Sequence, residues 1–557
     1  MRACCLAIVC AASGLAAEPR LVSVHPFTGQ KGQPFTIIVR GAALKDAKAI
    51  FVEKGKLGMR MEGTEVEPPE PGSRNRTPTD KVRIRVEASE PGRYSFRLIT
   101  SGGLSNALAI EVVDQVVTAE PEGSHETPAT AVEIPAIPAL FIGRIARRGE
   151  SDFYAIRAEA GDTVTVAVSS GLPSLGAAGG NANGFDPSIG IYEPSGSWFD
   201  PNRLKRLAFN DEPLWVLGRL TDPHMVHRFE RAGRHLLRVE AFSGQGGPDY
   251  SYQLKVLPGA IPPETAEKSR GWEERGFTRA LTANRLNELA ARGGKKPDQK
   301  AVETYRTAPD APMFKLPGNL EGAITQPGEA QRARFHIDGP TDIAIEIQTP
   351  GVAPPLFNPY VRLLDAKGEE TATSISVGRG LCTGAMTKGL AAKTIVPLRD
   401  PGDYTVEIRE ATADLAAPDF RFRVMVRPQI PHVGQVTVAE DHINLTPAEA
   451  KTVRVTFDRE EDFRGAIAVA AESLPEGVTA LAGADFEPDK DPPRAVGKRE
   501  RYTPRTERTV VVFAAARDAK PGAEPKMIKL VTRSVVDGKV GAVLSVKQIP
   551  MLVVAKP

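Results

Sequence analysis

The sequence has few cysteines. Four occur among 557 residues, and three of them, Cys4, Cys5 and Cys10, lie within the first ten positions. We expect that segment to be removed on secretion, which leaves Cys382 as the single thiol of the mature chain. An internal disulfide is therefore excluded, and the fold must be held by packing, ion pairs or bound ions.

Long apolar runs are also missing. The apolar stretch from Ala3 to Ala12 is too short to cross a bilayer, and no later run reaches the length of a membrane span. Arg2 precedes this stretch and small residues follow it up to Ala16 and Ala17, which is typical of a signal peptide over residues 1–17. We therefore expect a secreted protein, periplasmic or extracellular, without a transmembrane segment.

The chain lacks an excess of either charge. It has 71 Lys and Arg against 69 Asp and Glu, and aromatic residues make up only 6%. No basic stripe is interleaved with aromatics, so the sequence predicts no nucleic-acid partner. Glycine (51) and proline (47) are abundant, which favours short strands joined by turns, and the length predicts three to five domains.

Residues 18–116 alternate apolar and polar positions in segments such as "KVRIRVEA" and "GRYSFRLIT", the pattern of strands with one exposed face. The opening "PRLVSVHPFTGQKGQPFTIIVRG" resembles the IPT/TIG module. The matching positions are Pro19, Pro26, Gly29, Gly32 and Gly41. This resemblance implies an immunoglobulin-like domain.

Residues 117–258 contain "GRIARRGESDFYAIRAEAGDTVTVAV", "DPSIGIYEPSG", "LAFNDEP" and "RAGRHLLRVEAFSGQGGPDYSYQLKV" in that order. The order resembles the pre-peptidase C-terminal (PPC) domain of secreted bacterial proteins. That family is a β-sandwich often found beside peptidase domains, so the resemblance implies a second sandwich here.

Part of this segment is repeated. The spacing Gly-x-Ile-x-x-x-Gly-Glu at Gly143 recurs at Gly322, and "AGRHLLRVEA…PDYSYQLKVLP" recurs as "PGDYTVEIRE…PDFRFRVMVRP". Matched segments in one order indicate that residues 313–428 form a second, diverged PPC-like sandwich.

The segment between the copies, residues 259–312, has a different character. Thr282 can cap a helix whose apolar face comprises Leu286, Leu289 and Ala290, so we expect a helical linker. Residues 429–557 return to strand patterns, and "ESLPEGVTA" resembles secreted bacterial immunoglobulin-like domains. The predicted fold is all-β, with four β-sandwich domains (immunoglobulin-like or jelly-roll-like) in series and a short helical linker.

Common catalytic motifs are absent: the sequence has no G-x-S-x-G, H-E-x-x-H, P-loop or C-x-x-C. We therefore expect a non-catalytic protein that binds extracellular polysaccharide or a surface protein. Two alternatives stay open, a targeting or secretion partner of a separate secreted peptidase or glycosidase, and an unrecognised hydrolase. The oligomeric state is not indicated.

Calcium is the one cofactor that the sequence indicates. In collagen-binding relatives of the PPC fold, an acidic segment leading into the sandwich and loop acids hold calcium. The resemblance implies Glu122, Asp152, Asn210 and Asp211 as its ligands here. The alternative for Asn210 and Asp211 is a solvated turn, since both residue types stabilise turns.

Three aromatic residues are candidates for ligand contact. Trp198 and Phe199 follow a Pro-Ser-Gly turn, and Trp215 follows the acidic stretch of "FNDEPLW". Exposed rings of this kind stack on sugars or anchor protein partners. The alternative is that they cap the edge of the core.

Overall fold

The computed structural model describes the chain as β-strands with connecting turns. The described residues are 17–53, 55–68, 78–121, 123–170, 185–196, 203–211, 222–261, 278–280, 311–348, 359–379, 386–391, 393–411, 416, 418, 420–463, 465–481, 505–536 and 539–555. Within these ranges all regular secondary structure is β-strand, and no helix long and apolar enough to cross a membrane occurs there.

The first sandwich contains nine strands. They are β1 (Arg20–His25), β2 (Thr28–Gln30), β3 (Phe35–Ala42), β4 (Ala49–Val52), β5 (Gly58–Glu67), β6 (Thr79–Glu87), β7 (Gly92–Thr100), β8 (Gly103–Leu104) and β9 (Leu108–Val113). One sheet has the order β1-β3-β6-β5 and the other β2-β9-β7-β4, with β8 paired to β7. Alternating residues such as Val82, Ile84 and Val86 fill the core between them.

The second sandwich follows with ten strands. They are β10 (Thr118–Ala119), β11 (Val132–Glu133), β12 (Ala139–Arg144), β13 (Ser151–Ala158), β14 (Thr163–Ser169), β15 (Pro187–Pro194), β16 (Leu204–Asn210), β17 (His224–Arg228), β18 (Gly233–Ala241) and β19 (Ser251–Pro258). Its sheets have the orders β10-β12-β19-β14-β17 and β11-β13-β18-β15-β16.

The third sandwich comes after residues 259–312. Counting on from β20 (Thr278–Ala280), the strands are β21 (Met313–Phe314), β22 (Gly318–Ala323), β23 (Ala330–Ile337), β24 (Thr341–Gln348), β25 (Pro359–Leu364), β26 (Glu370–Thr373), β27 (Ile375–Arg379), β28 (Met386–Ala391), β29 (Lys393–Leu398), β30 (Gly402–Glu410) and β31 (Arg421–Pro428). The sandwich sheets are β21-β23-β30-β25-β26 and β22-β31-β24-β29, while β20-β28-β27 form a separate small sheet.

The fourth sandwich completes the chain. Its strands are β32 (His432–Val438), β33 (Ile443–Leu445), β34 (Ala450–Glu460), β35 (Ala466–Glu472), β36 (Val478–Leu481), β37 (Arg505–Ala515), β38 (Lys526–Val536) and β39 (Lys539–Val553). They form the sheets β32-β34-β37-β36 and β33-β39-β38-β35 around their own core. The structure is thus all-β with several sandwiches.

The second and third sandwiches share one strand order. The sheet β11-β13-β18-β15-β16 corresponds strand by strand to β21-β23-β30-β25-β26. The turn before β13 and the turn before β23 each place a glycine at positive φ, Gly149 at 79° and Gly328 at 78°. The left-handed conformation favours glycine, so both copies of the repeated sequence use it for the same turn.

The predicted helical linker is not seen. Residues 282–293, which carry the helix pattern, lie outside the described residues. The described residues of the linker are 259–261, 278–280 and 311–312, and among them Thr278–Ala280 form a strand that pairs with β28. Pairing with β28 places these residues in a strand, and short-range periodicity does not reveal that pairing.

The sandwiches are not joined only by consecutive linkers, because the first contacts the fourth. The Asn444 side chain accepts a hydrogen bond from the Leu104 amide and donates one to the Leu104 carbonyl, each at 2.8 Å. Gly103 has φ of 119°, and a Cβ there would lie 2.6 Å from Cγ of Asn444. Glycine therefore permits the close approach of the two sandwiches.

Apolar and charged contacts surround this amide. Ile99 and Leu104 of the first sandwich pack with Leu552 and Val554 of the fourth. Arg97, only 2% exposed, donates to the Asp441 carbonyl at 2.8 Å and lies 3.0 Å from its carboxylate. The interface therefore combines a small core with satisfied polar groups.

The first sandwich also contacts the second. Gln253 on β19 donates to Thr28 at 2.9 Å and to Glu111 at 3.1 Å. The guanidinium of Arg40 lies 3.0 Å from the carboxylate of Asp249. The first sandwich consequently lies between the second and the fourth.

Replacing the bridging amide should loosen the contact between the first and fourth sandwiches. Asn444→Leu removes both hydrogen bonds to Leu104 and leaves buried backbone groups unpaired, a cost of about 1–3 kcal/mol. We expect faster hydrogen exchange at the amides of β8 and β33 in the full chain. Asn319→Leu, the same change on an exposed position of β22, should leave that exchange unchanged. Equal protection in both variants would contradict the assigned role.

Candidate functional site

A buried carboxylate lies at one end of the second sandwich. Asp152 on β13 is fully buried, and its Oδ2 accepts a 2.6 Å hydrogen bond from the Tyr252 hydroxyl on β19. Tyr252 lies 2.8 Å from the hydroxyl of Tyr154, which is two residues beyond Asp152 and thus on the same face of β13. Since Tyr252 donates to the carboxylate, it accepts from Tyr154.

The segment before the sandwich adds a histidine and a second carboxylate. Nε2 of His125 lies 3.3 Å from Oδ1 of Asp152 and 3.5 Å from Oε2 of Glu120. Main-chain bonds hold the segment, because Phe153 donates to the His125 carbonyl at 2.8 Å and Glu120 donates to Ile142 at 2.9 Å. We call Glu120, His125 and Asp152 the histidine-carboxylate cluster.

A glycine makes room for this cluster. A Cβ at Gly143 on β12 would lie 2.6 Å from Oε2 of Glu120 and would also overlap the Tyr252 ring. The Arg144 amide donates to the same Glu120 oxygen at 3.1 Å. The β12 backbone thereby fixes the direction of the Glu120 carboxylate.

The electrostatics of the cluster follow from its burial. Interaction with Asp152, and then with Glu120, raises the pKa of His125 to about 10 despite the opposing effect of burial. Burial raises the pKa of Asp152, although the facing His125 and the hydrogen bond from Tyr252 oppose the change. Two carboxylates facing one buried imidazole therefore demand a positive charge between them.

The equivalent positions of the third sandwich are different. Counting from Gly328 as from Gly149, Asp152 corresponds to Gln331, and by register against β22 and β12, Tyr252 corresponds to Phe422. Gln331 donates to the Ala323 carbonyl and to Glu329 instead. The same strand order forms without this polar group, so the fold does not require the cluster.

Among the described residues, the structure does not bring two of the predicted calcium ligands, Asp152 and Asn210, together. Asp152 pairs with Val239, Val239 with Ile189 and Ile189 with Asn210, so Asp152 and Asn210 lie three strands apart, about 14 Å. Asn210 instead accepts a hydrogen bond from the His224 amide at 3.1 Å.

Of the other predicted calcium ligands, the structure describes Asp211, which is half-buried. Burial of Asp186, and then the charge of Asp211, raise the pKa of Asp186. Glu122 lies outside the described residues. The predicted aromatic contacts, Trp198, Phe199 and Trp215, also lie outside them.

The residues described around Asp152 do not suit calcium. Calcium takes about six to eight oxygen ligands. Here the group that faces the carboxylates of Asp152 and Glu120 is a nitrogen of His125, not a further oxygen. A nitrogen among the donors changes the chemistry that these residues offer to a cation.

Sequence reasoning named Asp152 but missed its partners His125 and Tyr252. The signal for His125 was its position, a histidine in the segment where the resemblance implies an acid. Tyr252 is 100 residues from Asp152, and no local pattern showed that its hydroxyl would meet a carboxylate.

A second cluster joins the third and fourth sandwiches. His432, Glu460 and Glu461 lie close enough to resemble a metal site. However, the buried ammonium of Lys393 on β29 lies 2.6 Å from Glu460 and 3.0 Å from Glu461. A lysine therefore supplies the positive charge that a metal would bring, and the cluster is an ion-pair network.

Arg427 extends this network. Its guanidinium donates to Glu461 and forms an ion pair with Glu346 on β24. Burial raises the pKa of Glu461, but hydrogen bonds from Arg427, the Ile430 amide and Lys393 lower it to about 2. Glu461 has φ of 53°, a conformation uncommon for a residue with a side chain, and it is fully buried at this contact.

Comparison with known proteins gives only distant likeness. No family model matches the chain, and no curated protein matches it significantly. Among solved structures, the PPC domain of a collagenase from Bacillus anthracis is 12% identical with a TM-score of 0.15, covering 21% of this chain and 95% of that one.

Longer matches are equally distant. The secreted serine protease VesC from Vibrio cholerae is 10% identical with a TM-score of 0.14, covering 42% of this chain and 49% of that one. The surface-layer protein SbsC is 11% identical with a TM-score of 0.16, covering 97% of this chain and 55% of that one. Values of this size carry no argument about activity, which must come from this chain's own residues.

Removing the Tyr252 hydroxyl should destabilise the second sandwich. Tyr252→Phe keeps the ring that Phe422 supplies in the third sandwich, but it leaves Asp152 without its donor, at a cost of about 1–3 kcal/mol. We expect about a tenfold or greater loss of hydrogen-exchange protection in β13 and β19. Tyr250→Phe, which removes a hydroxyl bonded at the exposed surface to Gln245, should change protection little. Similar effects from both changes would contradict the special role of Tyr252.

Acid should open the contact between the third and fourth sandwiches. The pKa of Glu461 is lowered from 4.5 to about 2, so its contribution to stability is complete above pH 4.5 and is lost as the pH falls through about 2. We expect the hydrogen-exchange protection factors around β31 and residues 460–463 to fall in that window. Glu461→Gln should show the faster exchange already at pH 5. Constant protection from pH 5 to pH 2 would contradict this assignment.

Proposed function

We propose that this protein is a secreted, non-catalytic scaffold that binds an extracellular polysaccharide or a surface protein. One observation carries the proposal: buried polar contacts join the sandwiches to one another beyond their linkers. Asn444 and Arg97 join the first and fourth sandwiches, and Lys393 and Arg427 join the third and fourth.

Buried polar contacts of this kind favour a defined arrangement. A buried charged group is costly unless its partner is correctly placed, so Lys393, 5% exposed in its side chain, disfavours other positions of the fourth sandwich. Sandwiches that were merely strung together would need no such groups. The arrangement suits a protein whose task is to hold surfaces in fixed relation.

A fixed arrangement supports binding. A surface organised before contact avoids the entropy cost of ordering on binding, so a repetitive polymer can meet several modules at once. The second and third sandwiches provide two related modules for such multivalent contact. This is the physical basis on which we favour binding over catalysis.

Binding should be measured with the full chain lacking residues 1–17. On an array of polysaccharides and extracellular matrix proteins, we expect selective binding to one polymer class. Turnover of generic peptide or glycoside substrates by the same preparation would contradict a non-catalytic role. Silence across a broad array, with capture of a secreted hydrolase from the culture medium, would favour the targeting role instead.

Two lysine variants test whether the fixed arrangement of the sandwiches contributes to polymer binding. Lys393→Met removes the buried ammonium from Glu460 and leaves Arg427 as the partner of Glu461, which costs about 3–5 kcal/mol, and should weaken polymer binding by loosening the third and fourth sandwiches. Lys529→Met changes an exposed lysine on β38 and should leave binding unchanged. Full binding by the Lys393 variant would contradict a role for rigidity.

A further inference from the structure

A main-chain contact at Nδ1 of His125 leaves Nε2 as the ring nitrogen that faces the two carboxylates. Nδ1 of His125 lies 3.2 Å from the carbonyl oxygen of Gly123, which can only accept a hydrogen bond. Nδ1 therefore carries a proton, and Nε2, which releases its own proton on binding a metal, is the atom that faces Asp152 and Glu120. Metal-binding histidines commonly use one nitrogen in this way to orient the other.

The facing atoms have no hydrogen-bond partners. Nε2 of His125 and Oδ1 of Asp152 are both buried, and neither makes an aligned hydrogen bond. His125 is 7% exposed and Asp152 is fully buried. Unpaired polar atoms at this depth are costly, and here they converge on one point.

The two distances from Nε2 are those expected between donors in a metal's coordination shell. Nε2 is 3.3 Å from Oδ1 of Asp152 and 3.5 Å from Oε2 of Glu120, longer than the about 2.7–2.9 Å of a charge-assisted hydrogen bond. Zinc bonds to nitrogen and oxygen of about 2.0–2.1 Å place the donors of a tetrahedron roughly 3.3–3.4 Å apart. The observed distances match the donor spacing of a zinc tetrahedron rather than the length of a hydrogen bond.

We propose that Glu120, His125 and Asp152 bind a divalent transition-metal ion of the zinc class. One nitrogen and two carboxylate oxygens suit such an ion, whereas calcium and magnesium take oxygen alone. The remaining coordination position is available to water or to a ligand atom, and the partly exposed Glu120 provides the approach from solvent.

Outer contacts support the site. Tyr252 donates to the second oxygen of Asp152, and the Arg144 amide donates to Glu120. Such contacts fix the direction of ligating carboxylates. The cluster of His432, Glu460 and Glu461 provides the contrast, since Lys393 already occupies its centre.

Metal binding should be measured on the full chain lacking residues 1–17, stripped with chelator and titrated with Zn²⁺. We expect one equivalent bound at the cluster, with affinity unchanged in millimolar Ca²⁺. His125→Gln should abolish this binding, and the matched change His432→Gln should preserve it. Co²⁺ in place of Zn²⁺ should give the visible absorption of a tetrahedral site, and the His125 variant should lose that absorption.

Two further variants extend the test, and Glu120→Gln is the one that should leave the fold intact, because Glu120 is partly exposed. Glu120→Gln changes a partly exposed group and should weaken Zn²⁺ binding at least tenfold, while Tyr252→Phe, which removes an outer contact, should weaken it by about 10–100-fold. Zn²⁺ affinity that is the same in the native chain and in the His125 and Glu120 variants would overturn the proposal. So would displacement of Zn²⁺ by equimolar Ca²⁺.

Discussion

A single amide side chain joins the first and last parts of this chain. Asn444 completes both backbone hydrogen bonds of Leu104, 340 residues earlier, at a point where Gly103 allows close approach. The placement of the first sandwich against the fourth depends on this contact and on Arg97 beside it. Through Lys393 and Arg427 the third sandwich is then positioned as well.

These contacts act through the cost of leaving them unmade. Exposed ion pairs contribute about 0–1 kcal/mol, whereas removing one partner of a buried pair costs about 3–5 kcal/mol. Arg97 and Lys393 are buried, so they penalise displaced arrangements more than they add net stability. The same logic applies inside the second sandwich, where Asp152 is tolerated only because Tyr252 and a positive charge at His125 or a metal compensate it.

Local pattern was enough to predict the all-β class and many of the strands. The alternation in "KVRIRVEA" places Val82, Ile84 and Val86 in a core, and the matched glycines of the repeat mark one turn in two sandwiches. Long-range contacts were beyond such reasoning. Nothing near Asn444 indicates Leu104, and the separation of Asp152 from Asn210 depends on strand order, which periodicity does not fix. His125 could have been found by asking which metal a changed ligand would suit.

The central claim is that buried contacts hold the sandwiches in one arrangement. Small-angle X-ray scattering of the chain that lacks residues 1–17 and carries no substitution is its most direct test. We expect the scattering of a single compact particle, with a radius of gyration that is the same at low and high salt, because buried pairs are screened little. A profile typical of flexibly linked domains, or a radius that grows with salt, would contradict it.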